Sequence, residues 1–135
     1  MGALRRLYKV AVEYAGIASR IASEGSLDDV VRWLALLHAL QVQAQASLDL
    51  VARLSSLLGH TPSTPVEAIE ALLLNKLITR EEAAFLRRVV GFRNIVVHEY
   101  TAGSREIVET IVSERDHIKL AKLVEKYSRR PRKGD

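Results

Sequence analysis

A chain of 135 residues, 48% of them apolar, is sized for one folded domain with a real core. It has no cysteine, which excludes a disulfide framework, a thiolate metal site and a thiol nucleophile. The formal charge of +4 and a pI of about 9.6 are a mild basic bias, consistent with a polyanionic partner.

No apolar run approaches the ~20 residues of a membrane span. The opening MGALRRLYKV interrupts its apolar residues with charge, unlike a secretory signal. A cytoplasmic protein with no membrane contact is therefore expected. The histidines at 38, 60, 98 and 117 are too scattered for a helical zinc pair. Neither a metal nor a cofactor is expected.

In chain order, Leu4, Leu7, Tyr8, Ala11, Ala15, Ala18 and Ile21 follow the helical period and predict a first helix over about 3–23. Gly25 is a plausible left-handed cap for its end. Ser26 or Asp28 can begin the next helix, with Asp28 and Asp29 in its first turn. That helix is predicted over about 27–58. Its stripe runs from Leu27 through Val30, Leu34 and Leu37 to Leu58, and Trp33 to Leu40 is apolar nearly all round. A helix apolar on two faces is buried on both, so the second face is expected at a subunit interface. Gln41, Gln43, Gln45 and Asp49 then interrupt it. They form either a solvated polar face or, through Gln41 or Asp49, the lining of a polar cleft.

Residues 59–65 read as a loop. Thr64, Pro65 and Glu67 form a helix-start signature for a short helix to about Leu77. Thr79 and Glu82 make a second capping box, opening a helix from about 80 with Leu86, Val89, Val90, Arg93, Val96 and Val97 on its inner side. Residues 101–104 break it, with Ser104 as the next cap. A last helix is predicted over about 105–127 through Ile107, Val108, Ile111, Ile118 and Val124. No alternating run bounded by hairpin turns is present, so strands are not expected. The predicted architecture is an all-α, up-down bundle of four long helices plus one short one, a single domain over 1–128. A basic tail over 129–135, with Arg129, Arg130, Arg132 and Lys133, follows it. The tail reads as a solvated terminus or as a contact for a polyanion.

The chemistry concentrates in Gly91-Phe92-Arg93-Asn94-Ile95-Val96-Val97-His98-Glu99-Tyr100. Asn94 and His98 are one helical turn apart, and Arg93 lies toward their side. Arginine grips phosphate while keeping its charge, and histidine titrates near neutrality. Together they suit metal-free RNA cleavage, with the imidazole moving a proton at the 2′-OH or the leaving oxygen and the guanidinium stabilising the charged phosphorus centre. One histidine does not easily supply both proton transfers, whereas a two-fold dimer brings two. The same spacing also suits a purely structural role, with Arg93 paired to a core carboxylate and His98 satisfied at a helix end.

Arg93-Asn94-Ile95-Val96-Val97-His98-Glu99-Tyr100 resembles the RNxxxHxY signature of the HEPN superfamily, specifically the HepT family of toxins. Gly91-Phe92 fits that family's lead-in. The tyrosine-bearing first helix, the long second helix with Asp49, the proline loop and the motif helix extend the resemblance over most of the chain, up to the basic tail. The resemblance implies a helical homodimer with two motifs facing across a cleft. It implies a metal-independent ribonuclease, the toxin of a type VII toxin–antitoxin module. Its partner would be an MntA-like minimal nucleotidyltransferase that moves AMP from ATP to the motif tyrosine. On this reading Arg93 and His98 are catalytic, Asn94 supports them, and Tyr100 is the AMPylation site. Gln41, Gln43 and Asp49 are candidates for the cleft wall. AMP on Tyr100 would set bulk and negative charge beside the basic residues and block RNA. Two other functions fit the sequence: a non-catalytic HEPN module that serves a nucleotidyltransferase, and a helical dimer that binds RNA without cutting it.

Overall fold

The computed structural model describes residues 2–98 and 102–129, with the backbone alone at 96–98, 102 and 103. Among them there are six helices and no strand: α1 (Ala3–Ser23), α2 (Val30–Leu57), α3 (Pro65–Leu74), α4 (Arg80–His98), α5 (Ala102–Ser113) and α6 (Asp116–Ser128). The expected all-α class holds, and α1 spans the predicted residues.

The longest helix, α2, is the hub, packing against α1, α3, α4 and α6. Leu36, Leu40, Leu50, Val51 and Leu54 bury fully or nearly so along it. Its first turns are different. Val30, Val31 and Leu34 are 68%, 76% and 52% exposed, so the predicted stripe enters the core only from about Leu36 onward. The cap is Asp29, neither Ser26 nor Asp28, and the helix begins at Val30 rather than at about 27. The Asp29 carboxylate accepts from the Val31 and Arg32 backbone N–H groups.

Both predicted threonine caps form, and the second closes as a full capping box. Thr64 Oγ1 accepts from Glu67 N, and Thr79 Oγ1 from Glu82 N, while Glu82 Oε1 accepts from Thr79 N. Glu82 also joins two distant helix ends. Tyr127 donates to its Oε1 at 3.1 Å and Lys126 to its Oε2 at 2.6 Å, fastening the end of α6 to the start of α4. Burial raises the pKa of the Glu82 carboxyl, but the bonds from Lys126, the Thr79 N–H and Tyr127 outweigh it, and the pKa falls below the usual glutamate value.

Four local expectations need correction. Gly25 is not left-handed; α1 ends at Ser23 and is capped by Glu24, whose N–H bonds the Arg20 carbonyl. α3 stops at Leu74 rather than Leu77, because Lys76 adopts a left-handed φ of 59°. Ser104 lies inside α5 and is buried, so it is no cap. The single last helix is two, divided at Arg115, whose φ is 60°.

No glycine or proline marks that last break, and a left-handed non-glycine costs roughly 1–2 kcal/mol. The packing beyond it supplies the compensation. The turn sets His117, Leu120, Val124 and Tyr127 into the core. His117 Nε2 meets Ser19 Oγ on α1 at 2.8 Å, and the His117 carbonyl accepts from Gln43 Nε2 on α2 at 2.6 Å. The N-terminus of α6 is thus tied to both long helices.

Candidate active site

α4 carries the motif from Arg93 to His98. Its capping box and the acids Glu81 and Glu82 in its first turn favour the helix start. Leu86, Val89, Val90 and Phe92 bury one side against the core. The helix stays continuous through Arg93 and Asn94 to His98, so positions 94 and 98 are one turn apart in the backbone. Arg93 is half-buried and Asn94 exposed. The side chain of His98, and all of Glu99, Tyr100 and Thr101, lie outside the described residues.

Arg93 reaches across to α2. Its Nη1 donates to Gln45 Oε1 at 2.8 Å, and Gln45 Nε2 donates to Asp49 Oδ1 at 2.8 Å. Gln45 and Asp49 stand one helical turn apart and are both exposed. Arg93 Nε is buried and has no hydrogen-bond partner among the described residues. Among the described residues the arginine is anchored by a neutral amide and not by a core carboxylate.

Of the predicted cleft residues, Asp49 belongs to this row, and Gln41 is half-exposed one turn before Gln45. Gln43 does not face it. Two residues of helix turn a side chain by about 200°, and Gln43 is 2% exposed, holding the His117 carbonyl. Gln45 was the residue to single out. The sequence signal was available, because 41, 45 and 49 repeat at four while 43 falls between them.

The opposite flank of α4 borders a groove of about 740 Å³ between α4 and α5. Gly91, Phe92 and Ile95 line it from α4, and Glu106, Ile107 and Thr110 from α5. A smaller cavity of about 60 Å³ lies beside it among Gln43, Phe85, Phe92 and His117. There, burial and the nearby Arg115 charge depress the His117 pKa. The Ile111 carbonyl and Asp116 oppose them only in part.

Among the described residues no group of three His, Asp or Glu side chains is placed to hold a metal, and no helix is long and apolar enough to cross a membrane.

Six helices in this arrangement are the fold of HEPN toxins. The structure of a tri-AMPylated Shewanella oneidensis HEPN toxin, in complex with an MNT antitoxin, superposes with a TM-score of 0.77 at 22% identity, covering 93% of this chain and 99% of that one. YutE of Bacillus subtilis, a cytosolic protein of unknown function, gives 0.71 at 17% identity over 91% and 88% of the two chains. At these identities the likeness carries the fold alone. In sequence, an Archaeoglobus fulgidus protein named "Putative RNase" is 30% identical over 129 residues, which are 92% of this chain and 98% of that protein. Residues 7–127 match the family described as ribonuclease HepT-like. The chain belongs to that family.

Proposed function

We propose that this chain is a metal-independent RNA endonuclease, the toxin of a toxin–antitoxin module, and that AMP transfer to Tyr100 silences it. The observation that carries the reading is the placement of Arg93. Within the family's motif, its guanidinium is held at the edge of α2 by an uncharged partner at 2.8 Å. A guanidinium committed to structure alone would be expected to face a buried carboxylate. Membership of the HepT-like ribonucleases supports the same reading.

In the reaction, His98 takes the proton of a ribose 2′-OH, and the 2′-oxygen attacks the adjacent phosphorus. The bond from phosphorus to the 5′-oxygen breaks, and that oxygen takes a proton from the same histidine of a second copy. The products are a 2′,3′-cyclic phosphate and a 5′-hydroxyl. Arg93 stabilises the charge that builds on the phosphoryl oxygens, and Asn94 orients the pair. A homodimer, expected from the two-sided apolar stretch of α2, supplies the second motif.

The partner is an MntA-like nucleotidyltransferase that uses ATP as the AMP donor. The solved relative that is tri-AMPylated and bound to an MNT antitoxin supports this pairing by analogy. The adenylate on Tyr100 would add bulk and negative charge two residues beyond His98.

The test is RNA cleavage in EDTA by the parent, Arg93→Ala and His98→Ala. The parent is expected to cut, leaving cyclic phosphate ends, and both variants to lose the activity. An inert parent whose dimer is intact, tested on varied RNAs, would overturn the nuclease reading in favour of a non-catalytic HEPN module. Incubation with the partner and ATP should add adenylate mass to the parent and not to Tyr100→Phe. Equal addition to both would remove Tyr100 from the scheme.

A further inference from the structure

The row Arg93–Gln45–Asp49 has a direction. An ionised carboxylate only accepts hydrogen bonds, so Asp49 fixes the Gln45 amide with its NH₂ group toward Asp49 and its oxygen toward Arg93. Reversed, the amide would set oxygen against carboxylate and NH₂ against guanidinium. Both α2 residues sit one turn apart on a long helix whose neighbours at 44, 46, 47, 48 and 50 are buried, so the anchor is held rigidly.

From this arrangement we infer that Gln45 is the positioning residue of the arginine: it anchors Arg93 through a neutral acceptor and so keeps the guanidinium charge for an RNA phosphate. The inference rests on the ribonuclease reading for its substrate, and on the structure for its geometry. A carboxylate at position 45 would hold the same hydrogen bond but would pair with the charge and compete with the phosphate. The amide gives orientation without that competition, and the negative charge stays one turn away on Asp49. The buried Nε adds to the constraint. With that edge of the guanidinium turned inward, an oxyanion meets the Nη end. Pre-set orientation lowers the entropy lost when phosphate binds.

The row also predicts opposite signs for stability and function. Gln45→Glu is nearly isosteric and gains an ion pair to Arg93, although it also places a second carboxylate beside Asp49. Its Tm is expected to hold or rise, while KM for RNA rises by about tenfold or more, the scale of one charge-assisted hydrogen bond. The Kd for a 2′-O-methylated oligonucleotide, which binds but is not cleaved, should rise by a similar factor. Gln45→Ala removes the anchor without masking the charge, so kcat falls more than KM rises. Asp49→Asn loosens the amide orientation and gives a smaller loss than either. A merely structural Gln45 would lower Tm and activity together and show no such split.

The decisive experiment measures Tm, cleavage kinetics and binding of the methylated oligonucleotide by fluorescence anisotropy for the parent and the three variants. If the parent cuts and Gln45→Glu binds and cuts as the parent does, the positioning inference is overturned and the ribonuclease reading stands. If the parent binds the oligonucleotide without cutting RNA, and Gln45→Glu weakens that binding, the anchor stands and the ribonuclease reading fails. A parent that neither binds nor cuts overturns both.

Discussion

Gln43 and Gln45 are the same residue type, two positions apart on one helix, and they do opposite jobs. Gln43 is sealed in the core, where its amide donates to the His117 carbonyl at 2.6 Å and ties α2 to the broken start of α6. Gln45 is exposed and offers its oxygen to the arginine of the family motif. The difference is rotation about the helix axis. One face of α2 meets α6, and there an unpaired carbonyl would cost stability. The other meets the edge of α4, where water can replace a lost bond. The lesson is that a polar residue in an apolar helix takes its meaning from the element it faces, not from its own chemistry.

The largest test of that contrast is Gln43→Ala. It leaves the His117 carbonyl without its donor and opens space beside a cavity, so a loss of about 2–4 kcal/mol is expected in denaturant unfolding. The cleavage rate per folded molecule should stay close to the parent's. A Gln43→Ala protein as stable as the parent would show that water replaces the amide and that the tie is dispensable.

The next test is pH. The folded His117 pKa lies below its unfolded value of about 6.5. Between the two values the unfolded chain binds the extra proton, so stability is complete above about pH 6.5 and declines as pH falls through that window. The slope for one proton is at most about 1.4 kcal/mol per pH unit. Unfolding measured at several values between pH 7.5 and 5 should show the decline in the parent and a shallower one in His117→Gln. Staying above pH 5 keeps the titration of Glu82 and Asp28, both lowered from ordinary carboxylate values, outside the window. Parallel curves for parent and variant would mean that the buried ring contributes nothing to the pH response.

The smallest expected effect is on the other side of the comparison. Gln45→Ala should change stability by no more than about 0.5 kcal/mol, as for an exposed position, although it impairs cleavage. A loss comparable to that of Gln43→Ala would erase the distinction between the two glutamines.

Much of this was legible in the sequence because the signals were local. The span of α1 followed from apolar spacing. The starts of α3 and α4 followed from threonine caps whose partners are three residues apart. The motif on α4 was legible as an ordered set of residue types, and the family match bears out the resemblance it carried. The break at Arg115 was not legible. Neither glycine nor proline stands there, and the forces that hold it come from Ser19 and Gln43, far away in the chain. The burial of Ser104 and the exposure of Val30, Val31 and Leu34 were hidden for the same reason: periodicity gives a face but not what lies opposite it.

By itself, then, the sequence determined the helical class, the span of α1, the starts of α3 and α4 and the identity of the motif, since these depend on spacing and capping within a few residues. Only the tertiary structure decided that Gln45 rather than Gln43 meets Arg93, that this partner among the described residues is neutral, and that the last helix is two. Those outcomes depend on which face of α2 each neighbour occupies, a relation between residues some 48 or 74 positions apart that no local pattern encodes.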